Sequence, residues 1–342
     1  MLRMSASMKT LERLASPRRR APLIGLPSPR PNKTSASTER ISGSRGTPQH
    51  LIFKVCASLA YWLIAHSYFV PGLYFQRYSF ALGLALASKR GATLPEPLLC
   101  RILSGTLAST KYFEFDFAWR AFPNTKSGNY LDVLSPWLLP LLVIQRERMS
   151  HATVVSSDRS AMSTFAQLLD TAGLAPRCEI LSQPLDRCAL APGSFDLITN
   201  ISGLAKVTDD SKFLETMWNL LKPGGRLIVS VPCNAAVAVA GADDGFVSSS
   251  LRSYDPALLR DRIFSVVGEP AHAVVYGETC KSDCDTAIVA PDPEFPSPRE
   301  PLVIARKWRC FSRVEDLPGR GVTAMVFHKP GDLNCLSDAA NA

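Results

Sequence analysis

The hydrophobic pattern is clearest over residues 194–232, where it predicts a strand, a helix and a second strand. SFDLIT has the apolar density of a buried strand. The next segment, DDSKFLETMWNLL, spaces its apolar residues so that they lie along one face of a helix. KPGG is a stop signal for that helix, and the apolar run RLIVSVP follows it. This order predicts the β-α-β crossover of a parallel sheet.

The same alternation of strand and helix patterns begins near residue 128. Ser135 is a good N-cap for the first of these helices, and Pro136 suits its first position. Farther along, Asp255 is the predicted N-cap of the helix SYDPALLRDRIF. The pattern predicts an α/β fold with a doubly wound, mostly parallel, seven-stranded Rossmann-like sheet. The predicted strands are GNYLDVLS, ATVVSSD, CEILSQPLD, SFDLIT, RLIVSVP, AHAVVYGE and GVTAMVFHKP.

Changes in composition divide the chain into four parts. Residues 1–50 are rich in Ser, Pro and Arg and predict a disordered basic leader. Residues 51–126 are hydrophobic and aromatic, which predicts a helical cap or extension in front of the sheet. The α/β domain is expected over residues 127–330, with a proline-rich, loop-rich insertion at 281–320. Residues 331–342 are polar and predict a frayed tail.

Residues 51–86 form the most hydrophobic stretch of the chain. A membrane-spanning helix needs about 20 predominantly apolar residues. Lys54, His66 and the Pro71-Gly72 pair divide this stretch into shorter pieces. The pattern therefore favours core helices, and contact with a membrane surface through residues 51–86 is the less favoured alternative.

The net charge of +8 is carried by the first 50 residues, which contain ten Lys or Arg and two Glu. The remaining residues therefore balance 28 basic against 28 acidic side chains. Such a neutral body lacks the basic face that nucleic-acid binding requires, so no nucleic-acid partner is expected.

Nine cysteines, an odd number without a regular framework, indicate reduced thiols and a cytoplasmic location. Cys280 and Cys284 have no second Cys or His pair at ligand spacing, so no metal site is predicted.

Acidic residues follow each of the first three predicted strands, at Asp132, Asp158 and Asp186. Ligands of open parallel sheets bind beyond the carboxyl ends of the strands. A carboxylate at such a position can accept hydrogen bonds from two ribose hydroxyls. The three acids thus predict a nucleoside-containing ligand, and helix N-caps or solvated loop acids are the alternative.

The order LDV, SSD, LD, SFDLI and LLKPGGRLIVSVP resembles the class I S-adenosylmethionine-dependent methyltransferases, in particular the type 11-like group. The resemblance covers residues 128–232 and extends loosely to residue 330. It implies S-adenosyl-L-methionine as cofactor, with Asp158 on its ribose, Asp186 beside its adenine and the loop from Leu131 to Leu138 running past its methionine part. It also implies methyl transfer to a small molecule or glycan precursor. The candidate cofactor-binding residues are Asp132, Leu134, Ser135, Asp158, Asp186, Arg187 and Asn200.

The loop after the first predicted strand, residues 132–138 and here called the first loop, departs from the family pattern D-x-G-x-G-x-G because it contains no glycine. Leu134 and Pro136 would narrow the pocket, and Pro136 also removes an N–H donor. A catalytically inactive methyltransferase fold that serves as a binding or scaffold protein is therefore the alternative function. A nicotinamide-dependent oxidoreductase is disfavoured because no G-x-G-x-x-G follows the first strand.

The loop after the fourth predicted strand departs from the family as well. Relatives often carry Glu-His there, whereas this chain has Ala205 and Lys206, so the usual candidate for a general base is absent and the catalytic residues are unknown from the sequence. The loss does not exclude methyl transfer, because a sulfonium is a good leaving group and the reaction needs mainly alignment. Lys206 could bind an anionic substrate or the carboxylate of the cofactor, and a solvated loop lysine is the alternative.

Overall fold

A computed structural model represents the 342-residue chain. The predicted leader, the hydrophobic stretch up to residue 71, the Cys280 and Cys284 pair and the proline-rich segment 291–301 lie outside the described residues. The described residues are 72, 74–88, 94–95, 98–99, 102–103, 109–123, 127–235, 252–279 and 308–331.

Within the described part of the chain, eight strands form one sheet. They are β1 (Asn129–Val133), β2 (His151–Val155), β3 (Cys178–Leu181), β4 (Phe195–Ile201), β5 (Leu221–Asn234), β6 (His272–Glu278), β7 (Trp308–Phe311) and β8 (Arg320–His328). Their order is β3-β2-β1-β4-β5-β8-β6-β7. Every pairing from β3 to β5 is parallel, whereas β8 is antiparallel to both β5 and β6, and β7 is antiparallel to β6. The α/β, mostly parallel Rossmann-like fold is confirmed.

The predicted number of seven strands is wrong, because β7 adds an eighth strand at the edge of the sheet. β7 lies inside the segment 281–320 that was predicted to be a loop-rich insertion. Its sequence, WRCF, is only four residues long and has exposed Arg309 and Cys310 in the middle. An edge strand this short carries too weak an alternation to be distinguished from a loop.

Helices cover both faces of the sheet. They are α1 (Tyr74–Ser88), α2 (Ser109–Ala121), α3 (Leu138–Gln145), α4 (Arg159–Ala172), α5 (Asp210–Leu220) and α6, which joins Pro256–Leu259, a π-helical turn Arg260–Phe264 and Ser265–Val267. One core contains residues of α1 to α4, and the other contains residues of α5 and α6. Neighbouring strand residues such as Leu197 and Ile198 belong to opposite cores, as the two-residue period of a strand requires.

The β4-α5-β5 crossover is present as predicted, but β5 begins at Leu221, before the predicted strand RLIVSVP. α5 ends at Leu220, and Leu221 already pairs with Phe195 of β4. The ammonium of Lys329 donates to the carbonyls of Trp218 and Leu221 at 2.8 and 2.7 Å. These carbonyls lie at the carboxyl end of α5, where a cation complements the helix dipole.

Among the described helices, none combines the length and the apolar character needed to cross a bilayer. Helices α1 and α2, which lie in the predicted N-terminal extension, pack on each other and on the sheet domain. Phe75 of α1 contacts Phe115 of α2 with ring centroids 5.5 Å apart, and Phe113 of α2 stacks on Tyr276 of β6 at 4.7 Å. Both helices therefore bury aromatic side chains.

Candidate cofactor site

A cleft of about 870 Å³ opens beyond the carboxyl ends of β1, β2, β3 and β4. β1 is the strand from which the chain order runs outward in both directions, so the cleft lies at the topological switch point, where open α/β sheets bind ligands. Its lining residues include Leu134, Ser135, Pro136 and Trp137 after β1, Ser156, Ser157 and Asp158 after β2, Gln183 to Asp186 after β3, Lys206 to Asp209 after β4, and Lys212, Phe213 and Thr216 of α5.

Asp158 lines the cleft and is also the N-cap of α4. Its Oδ1 accepts a hydrogen bond from the amide of Ala161 at 2.9 Å. The Oδ2 atom has no partner among the described residues, and the side chain is exposed. The N-cap alternative is therefore realised, yet one carboxylate oxygen remains for a ligand, so the predicted ribose contact stays a prediction.

Asp186 lies on a single 3-10 turn, Leu185–Arg187, directly after β3. Leu185 is buried in the core beneath α5, which fixes the turn against the domain. The exposed carboxylate of Asp186 lines the cleft together with Gln183, whereas Arg187 is not a lining residue. The structure thus brings Asp158 and Asp186 to one cleft and leaves Arg187 outside it.

The first loop has a different geometry from the one predicted. α3 begins at Leu138, so Ser135 is not its N-cap. The hydroxyl of Ser135 instead accepts a hydrogen bond from the amide of Ile201 at 3.0 Å. Leu134 has φ +61°, a left-handed conformation that glycine adopts without strain and that costs other residues about 1 kcal/mol.

Asp132 is completely buried beneath the first loop and is not among the cleft-lining residues. Its Oδ2 accepts hydrogen bonds from the hydroxyls of Tyr130 at 2.9 Å and Thr199 at 2.6 Å. Its Oδ1 accepts from the amide of Ser135 at 3.2 Å. Burial raises the pKa of Asp132 to about 6, although these hydrogen bonds favour its ionised form. The structure therefore gives Asp132 the role of supporting the loop from below.

Asn200 is also buried, and it joins the first loop to the loop after β4. Its Nδ2 donates to the carbonyl of Val133 at 2.9 Å, and its Oδ1 accepts from the amide of Leu204 at 2.8 Å. Asn200 is not a cleft-lining residue, unlike its predicted role. It positions the two loops that form the cleft.

Gly203 lets these two loops approach each other. A Cβ atom added there would lie 2.7 Å from Cβ of Leu134 and 2.6 Å from Nδ2 of Asn200. We expect Gly203→Ala to lower the free energy of unfolding by about 2 kcal/mol in urea denaturation, because the loops cannot separate without breaking the Asn200 hydrogen bonds.

The same substitution should cost at least about 1 kcal/mol less in a Leu134→Gly background, since one of the two overlaps is then gone. Gly331→Ala is the control, because an added Cβ meets no atom within 4 Å there. Equal costs of Gly203→Ala in both backgrounds would show that Leu134 does not set this limit.

Lys212 and Phe213 are cleft-lining residues that sequence reasoning used only as parts of an amphipathic helix. They occupy the first turn of α5, which follows the carboxyl end of β4 and so faces the ligand edge of the sheet. Their position directly after the fourth strand could have identified them from the sequence as residues of the cleft. The described residues contain no group of three or more His, Cys, Asp or Glu side chains that could hold a metal ion.

A buried polar cluster, here called the Glu114 cluster, lies beside the first loop and consists of Lys111, Glu114, Ser202 and Ser230. The ammonium of Lys111 lies 2.9 Å from Oε2 of Glu114 and also donates to the hydroxyl of Ser202. The hydroxyls of Ser202 and Ser230 each donate to Oε2 at 2.7 Å.

Burial opposes ionisation of Glu114, but the Lys111 ammonium and the two hydroxyls outweigh it and hold the pKa of Glu114 below its usual value. Ser202 follows β4 directly, in a left-handed conformation with φ +56°. The cluster therefore fastens α2 to the carboxyl end of β4 and to β5.

Comparison with known proteins gives a partial match. Residues 139–229 match a family model described as a methyltransferase domain. The ubiquinone/menaquinone biosynthesis C-methyltransferase UbiE of Geotalea daltonii is 30% identical over 124 residues, which are 34% of this chain and 53% of that protein. UbiE of Pseudoalteromonas translucida is 37% identical over 70 residues, which are 20% of this chain and 28% of that protein.

The chain thus spans about half the length, or less, of these curated relatives. Among solved structures, geranyl diphosphate C-methyltransferase from Streptomyces coelicolor aligns with a TM-score of 0.45 and 9% identity, over 64% of this chain and 79% of that one.

Proposed function

Because residues 139–229 match the model of a methyltransferase domain, we propose that this protein transfers a methyl group from S-adenosyl-L-methionine to a small-molecule acceptor. The resemblance stated from the sequence is confirmed by the family match, and S-adenosyl-L-methionine is the cofactor that goes with it. Because the first loop contains no glycine, the proposal depends on whether the cleft can hold the cofactor.

The observation that carries the proposal is the open cleft at the switch point, with one free carboxylate oxygen of Asp158 and the carboxylate of Asp186 on its wall. Its volume of about 870 Å³ lies within the range of small-molecule and cofactor sites. Leu134 and Trp137 line this space and do not fill it. The residues present therefore fit a nucleoside ligand despite the missing glycines.

When bound, the cofactor supplies a methyl group on a sulfonium leaving group. The residues of this chain hold it and align it. Asp158 would accept hydrogen bonds from the ribose hydroxyls, and Asp186 would accept from the exocyclic amine of the adenine. The buried hydrogen bonds of Asn200 keep the loops after β1 and β4 at a fixed separation. Alignment of this kind is the main requirement of the transfer.

The acceptor is proposed to be a small molecule, and a glycan precursor is a narrower form of the same proposal. We place the reaction in the cytoplasm because the cysteines form no regular framework, and the four cysteines in the described part of the chain are free thiols.

A second candidate function is an inactive methyltransferase fold that binds or scaffolds a partner. The specific observation in its favour is the first loop. The amide of Leu134 donates to the carbonyl of Val155, the amide of Ser135 donates to Asp132, and Pro136 has no N–H, so these residues offer no amide to a ligand. This candidate predicts that the protein binds no S-adenosylmethionine.

Calorimetric titration with S-adenosylmethionine and S-adenosylhomocysteine separates the two candidates. We expect both ligands to bind the unmodified protein. The Asp158→Asn variant should bind both at least about tenfold more weakly, because it loses a carboxylate oxygen that accepts hydrogen bonds from the ribose. Asparagine caps a helix as well as aspartate does, so α4 stays intact.

The matched control is Asp170→Asn, which changes an exposed carboxylate on the same helix outside the cleft. Its affinities should equal those of the unmodified protein. Absence of binding of both ligands at millimolar concentration would overturn the enzyme proposal and favour the scaffold.

A further inference from the structure

The first loop has few hydrogen-bond donors left for an anion. The amide of Leu134 donates to the carbonyl of Val155 at 3.1 Å, and that of Ser135 donates to Asp132 at 3.2 Å. Pro136 has no N–H. Within residues 134–137, only the amide of Trp137 has no partner in the part of the chain that the structure describes. Loop amides therefore cannot receive a carboxylate as a glycine-rich loop would.

The methionine part of S-adenosyl-L-methionine ends in a carboxylate. If this carboxylate left water without gaining a partner in the protein, the affinity of the cofactor would fall. The carboxylates of Asp158 and Asp186, on the β2 and β3 side of the cleft, would repel it. A cation on the opposite side is the arrangement that compensates for both effects. The cleft has two, Lys206 and Lys212.

Lys206 is the lysine next to the first loop. It closes the short turn Leu204–Lys206, and its amide donates to the carbonyl of Gly203 at 3.0 Å. Gly203 is so close to Leu134 that an added Cβ would overlap it. The turn is also held by the hydrogen bond from Leu204 to Asn200. Lys206 is thus carried by a backbone packed directly against the loop where the methionine part is predicted to lie.

The ammonium of Lys206 is exposed and makes neither an ion pair nor a hydrogen bond with any described residue. The ammonium of Lys212 likewise has no partner among the described residues, but Lys212 lies in the first turn of α5, where the N-cap Asp209 accepts from its amide at 3.2 Å. The carboxylate of Asp209 lines the cleft at that point and would repel an anion, so the start of α5 is the poorer place for the carboxylate of the cofactor.

From this donor count and geometry, we propose that the ammonium of Lys206 binds the carboxylate of the cofactor's methionine part and replaces the amides of a glycine-rich loop. The inference rests on the proposed function, since it assigns a residue of the same cleft. It gives the cleft two ends, with carboxylates for the nucleoside and a cation for the amino acid. Lys206 is then a cofactor-binding residue specific to this glycine-free loop.

The test compares two ligands that share the nucleoside but differ in the amino-acid part, S-adenosylhomocysteine and 5′-methylthioadenosine. Calorimetry should show that Lys206→Met weakens binding of S-adenosylhomocysteine about tenfold, which is the usual effect of losing one charge-assisted hydrogen bond. Binding of 5′-methylthioadenosine, which has no carboxylate, should not change. Lys206→Arg should retain most of the affinity for S-adenosylhomocysteine.

Arg260→Met is the control for net charge, because it removes an exposed cation that does not line the cleft. It should leave both affinities unchanged. An equal effect of Lys206→Met on both ligands, or no effect on either, would overturn the assignment. So would a selective loss of S-adenosylhomocysteine in Lys212→Met but not in Lys206→Met. Failure of the unmodified protein to bind either ligand would overturn the proposed function itself, which is a distinguishable result.

Discussion

Replacement of Lys111 by methionine should lower the free energy of unfolding by about 3 kcal/mol, because it leaves the Glu114 carboxylate buried without its cation. The side chain of Glu114 is 1% exposed, so water cannot replace the ammonium. The hydroxyls of Ser202 and Ser230 would still donate to the carboxylate, but they carry no charge. Guanidinium denaturation, followed by circular dichroism, measures the change.

The double variant Lys111→Met/Glu114→Leu should be more stable than the single one by at least about 1.5 kcal/mol, since an apolar pair can replace a buried ion pair at little cost. The matched control is Lys222→Met. Its partner Asp196 lies 2.7 Å away, but both side chains are 38% exposed, and loss of such a surface pair costs less than about 1 kcal/mol. A single variant that is as stable as the double one would contradict the assigned cost of the unpaired carboxylate.

The Asp132→Asn variant should become more stable relative to the unmodified protein as the pH rises from 4 to 7. The pKa of Asp132 is about 6 in the folded protein, against 3.8 for an unperturbed carboxyl. Between these two values the folded state binds more protons than the unfolded state, so its stability falls as the pH increases. A difference of about two pKa units corresponds to about 3 kcal/mol, and the amide of asparagine does not ionise.

The measurement is the free energy of unfolding of both proteins in urea at several pH values. The variant also has only one acceptor oxygen, so its side chain cannot accept from both the Tyr130 and Thr199 hydroxyls and the Ser135 amide, as Asp132 does. The informative quantity is therefore the pH dependence of the difference. A constant difference, or one that favours the unmodified protein at pH 7 more than at pH 4, would contradict the burial cost assigned to Asp132.

The parallel part of the fold was predictable because its signals are local. The apolar runs, the amphipathic helices and the KPGG turn follow one another in sequence, and parallel crossovers leave few alternative topologies. β7 was missed because four residues with an exposed arginine do not form a recognisable alternation. Ser135 was assigned the wrong partner since its hydroxyl meets the amide of Ile201, 66 positions away, which no local capping rule can indicate.

Only part of the site was predictable from the sequence. Asp158 and Asp186 could be placed because each directly follows a strand, and strand ends meet at one edge of a parallel sheet. The burial of Asp132 and Asn200 depends on hydrogen bonds to Thr199 and Val133, which lie in other strands. The Glu114 cluster joins residues as far as 116 positions apart, so sequence showed only an acid on an aromatic helix.

The position of β8 has a consequence for synthesis of the chain on the ribosome. β8 lies between β5 and β6, yet it is the last of the eight strands to be made. Until residues 320–328 have been translated, β5 and β6 each expose an unpaired edge that can associate with other chains. Chains made from the amino end therefore complete this sheet only after translation of β8.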